Sequence, residues 1–471
     1  MKKLIVTFIC LIFWSLTAHA SDTVAVNSAL KLEIDLYDNK AQSDTISLMS
    51  TDIEQVFHNA VKEHQLMFIQ LADGSIFTTI RIDLSEFNLD VSTDEKYNTV
   101  ATHIYNLAYQ SLEYFYLDGT VYPYVDDNAV MTDIFFEVRT VFTGDGSLNE
   151  QQQTLNSYIE KYDNECKKIL ADTLYPGMTE VEISLALHSY LGDTLYYDTD
   201  MEDLSFTSYS AILGEKAVCQ GYSFAYEHLL RLVGIPGELA TSSSMNHAWN
   251  VVYIDGSWYN IDTTWDDKEG YGVTHRYFML SDETLTERGH HDWTATVTCT
   301  DKKFETGYFF NPIHTDSLYS SDFMTCRYTD SGYFLYKRSG KYYKSSINGT
   351  TKIISEAKYN ADKTSPAKLS APFICSGESF VFASKDDGKA EMVLINRSEA
   401  GVDGTVFAAY YAGSGLKPGN ISSIKKDVSV AAGEYIFIPL TLNISSKGAD
   451  SMVTFFWNDS LTPYAKSICV K

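Results

Sequence analysis

Asp255-Gly256 is the point that most constrains how this chain folds. It is a two-residue turn of the kind that needs positive φ at both positions, and it lies between two strand-like apolar runs. Before it, His247, Trp249, Val251 and Tyr253 alternate onto one face; after it comes the run Ser257 to Asp262. If Ile254 pairs with Ser257, Trp249 stands opposite Asp262 and His247 opposite Thr264. Asp262 is then the diagonal neighbour of His247 on one sheet face, at about 7–8 Å between backbones, a gap an imidazole and a carboxylate can bridge. A turn one residue longer would send Asp262 to the opposite face.

The run just upstream predicts a helix. Val218, Tyr222, Ala225, Leu229 and Leu232 advance by helical steps and lay down one apolar stripe, which Gly234 and Pro236 bring to an end. Cys219 falls in the first turn, where unsatisfied N–H groups and the positive end of the helix dipole favour a thiolate. No Ser, Thr, Asp or Asn immediately precedes it to cap those groups, so the N–H of Cys219 is a candidate oxyanion donor. The chain order Cys219, His247, Asp262 thus predicts a catalytic triad. Cys219 attacks an acyl carbon, His247 forms the ion pair and protonates the leaving amine, and Asp262 holds the imidazole tautomer.

At these residues the sequence resembles the transglutaminase-like superfamily, a papain-type group with secreted bacterial members. The matching text is Val218-Cys-Gln-Gly-Tyr222, Gly234-Ile-Pro236, His247-Ala-Trp-Asn250, Gly256-Ser-Trp-Tyr259 and Ile261-Asp-Thr-Thr-Trp-Asp266, within a looser resemblance from Met178 to Trp293. The resemblance implies an α+β papain-like core with Cys219, His247 and Asp262 as its triad. The eukaryotic cross-linking enzymes carry a Trp directly after the nucleophile, where this chain has Gln220-Gly221. What is implied is therefore acyl transfer through a thioester, by protease, amidase or transglutaminase chemistry, rather than cross-linking in particular.

The remaining chain reads as support for that segment. Lys2-Lys3, the apolar run Leu4 to Leu16 and the small-x-small Ala18-His-Ala20 predict a signal peptide over residues 1–20 and a secreted product without a stable membrane anchor. A net charge of −26 disfavours nucleic-acid partners, because so acidic a surface repels phosphate backbones. After signal cleavage Cys166, Cys219, Cys299, Cys326, Cys375 and Cys469 remain, too sparse for a disulfide scaffold and without a C-x-x-C pair for structural zinc. No metal or cofactor is expected.

The expected order is an N-terminal α+β domain at 21–150 and the catalytic domain at 151–298. A β-rich linking region at 299–385 and an accessory Ig-like β-sandwich at 386–471 follow. Strands are expected at Leu30 to Tyr37, Phe77 to Leu84 and Met131 to Phe142, and helices at Thr51 to Leu66 and Leu155 to Leu174. Thr179 with Glu182 is a capping-box signature for a helix stopping at Gly192. Tyr333 to Ser345 reads as a hairpin, and the short strands between Met392 and Trp457 suit an antiparallel sandwich.

Other chemistry-bearing residues read as structural. Tyr209 is taken as a core aromatic rather than an oxyanion donor. Trp249 and Trp265 suit a cleft wall or core packing equally. Asp266, Asp267 and Glu269 lack calcium-loop spacing and read as a solvated acidic turn. His188, His290 and His291 match no ligand or nucleophile pattern. The expected substrate is a protein or peptide, with cell-wall peptide as one source. The rival reading is a non-catalytic or weakly catalytic protein that holds a cell-surface polymer on the same scaffold.

Overall fold

The apolar stripe forms the helix Cys219–Leu232, and the runs flanking Asp255-Gly256 form the antiparallel strands His247–Ile254 and Ser257–Ile261. Asp255 at φ 54° and Gly256 at φ 89° make the positive-φ turn, and Ile254 pairs with Ser257. The register is the expected one as far as Asn250 opposite Ile261. There the ladder ends, so Trp249 and His247 do not pair with Asp262 and Thr264. Asp262 instead caps the short helix Thr263–Asp266, its carboxylate accepting the Trp265 N–H, and its own N–H bonds to the Tyr277 carbonyl. Local capping chemistry wins over strand continuation at that residue.

A third strand, Gly237–Ser242, pairs on the other side of His247–Ile254. Both faces of the central strand are covered. Trp249 and Val251 pack with Ala240, Tyr277, Leu280, Leu285 and Cys299. On the opposite face Ala248 and Asn250 meet the nucleophile helix, where Ser223 Oγ donates to the Ala248 carbonyl and Asn250 Nδ2 donates to the Ser223 carbonyl. Alternation along one strand thus seats an aromatic layer on one side and a helix on the other.

The computed structural model describes residues 23–26, 51–174, 178–233, 235–268, 272–311, 323–329, 332–349 and 351–364, and beyond those 373–375, 381–382, 387–395, 400–411, 422–431, 435–443, 451–458 and 468–470. The expected signal peptide and the strand expected at Leu30 to Tyr37 lie outside the described residues. The chain divides into two units. One comprises Met1–Ile34, Met49–Ser111 and Tyr116–Leu155; the other comprises Asp35–Leu48, Leu112–Phe115 and Asn156–Lys471.

The first unit is a mixed sheet with helices. Its order is Thr23–Val26, Leu66–Leu71, Ile76–Asp83, Val130–Val138 and Leu89–Asp90, with Leu117–Val125 also pairing on Val130–Val138. The helix Thr51–Glu63 buries Phe57 and Val61, and the Phe57 and Phe136 rings lie 5.1 Å apart.

In the second unit the helix Glu180–Thr194 opens with the expected capping box between Thr179 and Glu182. It does not stop at Gly192. That glycine lies inside the helix, where an added Cβ would meet the Val273 methyls at 3.0 Å, so it is a packing position rather than a terminator. Farther along, Arg327–Tyr328, Phe334–Arg338, Lys341–Ser345 and Thr351–Ile354 form a four-stranded antiparallel sheet. Ser339 at φ 50° and Gly340 at φ 72° turn its central hairpin. Beyond these, among the described residues, lie two further antiparallel sheets, one built on Asp387–Ile395 and Tyr435–Asn443, the other on Val402–Tyr411 with Ser422–Val430 and Ser451–Trp457. Among the described residues no helix is long and apolar enough to cross a membrane, and Cys166, Cys219, Cys299 and Cys326 are buried and form no disulfide.

Candidate active site

Cys219 opens its helix. Val218 before it is extended and offers no side-chain cap, as its apolar side chain requires. The helix start is held from outside: Val218 N–H donates to the Ser205 carbonyl, and Asp198 N–H to the Ala217 carbonyl. Asp198 in turn accepts from Ser205 Oγ at 2.5 Å and from the Glu202 N–H. Gly221 makes this close approach possible, because a Cβ there would meet the Ser205 carbonyl oxygen at 2.5 Å and that of Thr207 at 3.0 Å. Gly221→Ala should therefore cost about 1–3 kcal/mol of stability by overpacking and slow Cys219 alkylation. Thermal melting and iodoacetamide labelling check this; a wild-type melting temperature would contradict the packing argument.

The three expected residues come together in a nearly dry site. Cys219 is 3% exposed, His247 5% and Asp262 0%. His247 Nε2 lies 2.7 Å from Asp262 Oδ2. An ionised carboxylate only accepts, so Nε2 carries the proton and Nδ1 is left for Cys219, which also hydrogen-bonds the ring. Trp249 and Trp265 stack on the imidazole at 5.7 and 5.2 Å between centroids. Trp249 is itself anchored by its indole N–H to Asn260 Oδ1 at 3.0 Å.

Burial opposes a charged His247, but the Asp262 charge, its hydrogen bond and the contact with Cys219 outweigh it, so the imidazole is pushed up to about 10. Burial likewise pushes the Asp262 carboxyl up. The His247 charge and the hydrogen bonds from His247 and His290 overcome that and hold it well below the usual carboxylate range. The arrangement therefore favours a standing imidazolium–carboxylate pair beside a thiol at a helix start, which is what nucleophilic acyl chemistry requires.

Two neighbours escaped the sequence reading. His290 reads as structural from the sequence, yet its Nε2 lies 2.8 Å from the same Asp262 Oδ2. Tyr197 places its hydroxyl against both the thiol and the backbone N–H of Cys219, and burial, then Cys219, push it up to about 12. It is delivered by the two-residue pairing of Tyr196 and Tyr197 with Lys216 and Ala217, too short to leave a periodic signal. Tyr209 is a core aromatic, packed with Phe115, Tyr158 and Tyr162.

Asp266 is not part of a solvated turn. It is fully buried and accepts from Thr274 Oγ1 and from the N–H groups of Arg276 and Tyr277, while His188 Nε2 lies 3.1 Å from its Oδ2. Asp267 accepts the Tyr222 hydroxyl, and Glu269 lies outside the described residues. Local spacing does not reveal the burial of Asp266, because its partners come from 78 residues upstream and from a segment beyond the helix. His291 stays exposed beside Asp292. Among the described residues, the donors of His247, Asp262 and His290 lie within 4.8 Å of one another, close enough for a divalent ion. Both ring N–H groups already converge on the carboxylate, so a metal would have to displace them.

Comparison with known proteins meets this geometry. The family model described as "Transglutaminase-like superfamily" matches residues 168–263. Kyphoscoliosis peptidase of Homo sapiens is 25% identical over 134 residues, and that of Mus musculus 23% over 134 residues; each match covers 25% of this chain and 20% of the relative. The chain thus spans about one fifth of the length of these relatives. A solved structure titled "Crystal structure of a TGase" is similar at 15% identity and a TM-score of 0.22, covering 30% of this chain and 44% of that one. The matched span contains Cys219, His247 and Asp262, and this chain therefore carries a transglutaminase-like domain.

Proposed function

We propose that the protein is a cysteine-dependent acyl-transfer enzyme that hydrolyses peptide or amide bonds through a thioester at Cys219. The observation that carries the reading is the convergence of a helix-start thiol, a buried imidazole and a buried carboxylate, with His247 Nε2 2.7 Å from Asp262 Oδ2. In the first half-reaction the Cys219 sulfur attacks the carbonyl carbon, the C–N bond breaks, and the His247 proton leaves with the amine. In the second, water attacks the thioester, its proton passes to His247, and the C–S bond breaks to return the thiolate. Tyr197, whose hydroxyl lies against the thiol and the N–H of Cys219, would donate to the developing oxyanion. Water as acceptor is favoured by the peptidase names of the curated relatives, and by Gln220-Gly221 where cross-linking enzymes carry Trp.

The substrate is proposed to be a protein or peptide met outside the cell, cell-wall peptide included, and the protein to be secreted. This part rests on the N-terminal Lys2-Lys3, Leu4 to Leu16 and Ala18-His-Ala20 pattern. A mixture of glutamine- and lysine-containing peptides incubated with the protein tests the reaction by mass spectrometry. New peptide ends, absent with Cys219→Ala, are expected. Joined peptides with loss of ammonia would replace hydrolysis by cross-linking, and unchanged peptides would favour the polymer-binding alternative.

A further inference from the structure

Asp262 receives more than a triad needs. Its Oδ1 accepts the Trp265 N–H at 3.0 Å, while Oδ2 accepts from both His247 Nε2, at 2.7 Å, and His290 Nε2, at 2.8 Å. His290 is fully buried. Its ring is boxed by Trp265 at 4.2 Å, Trp249 at 4.7 Å in an edge-on approach, and Tyr277 at 5.3 Å between centroids. The bond to Asp262 is the one hydrogen bond that the ring makes among the described residues, because Nδ1 is buried with no partner. An aromatic box of this kind would hold a phenyl ring without that loss, since burying an unpaired polar nitrogen is costly. What the imidazole adds over a phenyl ring is a single N–H aimed at the triad carboxylate.

We infer that His290 is a positioning residue for acyl transfer, acting through Asp262 rather than on the substrate; the inference rests on the function proposed above. With one donor on Oδ1 and two on Oδ2, the carboxylate cannot turn about its Cβ–Cγ bond without breaking a buried hydrogen bond. Oδ2 therefore stays on His247 Nε2, and the imidazole keeps Nδ1 toward Cys219 through the proton transfers. The His290 bond also favours the ionised carboxylate, in line with its share in holding Asp262 below the usual range. The backbone supplies the placement: Gly289, at φ 110°, turns the chain after the helix Asp282–Glu287, and the His290 N–H donates to the Leu285 carbonyl.

The test compares full-length His290→Phe, which fills the box without a donor, with His290→Gln, whose amide restores one. Cys219 alkylation by iodoacetamide is followed against pH, and peptide turnover is normalised to alkylatable Cys219. His290→Phe should lower kcat by about 10- to 100-fold, the scale on which outer-shell partners act, with KM unchanged. The acid limb of its alkylation profile should move to higher pH, because an Asp262 carboxylate free to turn supports the His247 charge, and so the Cys219 thiolate, less well. His290→Gln should recover most of both. Alkylation needs no substrate, so it reports on His290 even if the peptide reaction proposed above fails. Equal profiles in wild type and both variants, or equal impairment in both variants, would overturn the inference. So would stoichiometric zinc in the purified protein that His290→Gln loses, since the three donors would then be a metal site.

Discussion

His247→Ala should reduce acyl transfer by about 10²–10⁴-fold, the range that a positioned general acid–base contributes. It should also slow iodoacetamide labelling of Cys219 near neutral pH by at least about tenfold. Both effects have one cause. Cys219 is almost completely buried, so a thiolate there depends on a nearby positive charge as well as on the helix start. His247 is the ring held against it, and Asp262 keeps that ring charged. Alanine also removes the plate between Trp249 and Trp265, so circular dichroism should accompany the measurement to separate unfolding from lost activation. Labelling as fast in a folded His247→Ala variant as in wild type would refute the ion pair.

Asp262→Asn should cost about as much, roughly 10²–10⁴-fold, by a different route. The asparagine amide keeps the size of the carboxylate, but with its oxygen on the Trp265 N–H its NH₂ faces two ring N–H groups. At least His247 must then change tautomer, which turns an Nδ1–H toward Cys219 and leaves the sulfur protonated. With the carboxylate charge gone, His247 also falls from about 10 toward the ordinary imidazole range, so the alkaline limb of the rate profile should move to lower pH.

Stability should change with pH in the same variant, and the signs follow from linkage. The raised His247 contributes stability that is full below its unfolded pKa of about 6.5 and is lost as pH rises through about 10. The depressed Asp262 contributes stability that is full above its unfolded pKa of about 3.9 and is lost as pH falls below it. Melting temperatures across pH should therefore peak between about 4 and 6.5 in wild type and flatten on both sides in Asp262→Asn. Parallel curves for the two proteins would count against the coupling.

How far the site could be read in advance follows from the range of the interactions that build it. The Asp255-Gly256 turn acts on its immediate neighbours, and it sets the register that carries Ile261 to Asn250. The stripe from Val218 to Leu232 places Cys219 at a helix start with equal directness. The same local reasoning failed one residue later, at Asp262, where a capping bond to Trp265 replaced the strand. It failed again at Gly192, where a glycine that looks like a terminator is a contact point for Val273.

Sequence by itself determined the helix start, the hairpin and its register, and the order of the three reactive side chains, because turn, cap and periodicity are properties of neighbouring residues. Only the tertiary structure decided that His290 shares the Asp262 oxygen, that Tyr197 rather than Tyr209 meets Cys219, and that Asp266 is buried on His188. The last of these contacts joins the helices Glu180–Thr194 and Thr263–Asp266 across 78 positions, whereas the first two, 28 and 22 positions apart, run through a loop and a two-residue strand. No periodic pattern marks such segments. Their partners are selected by what the packed layers leave unpaired in a site that water barely reaches.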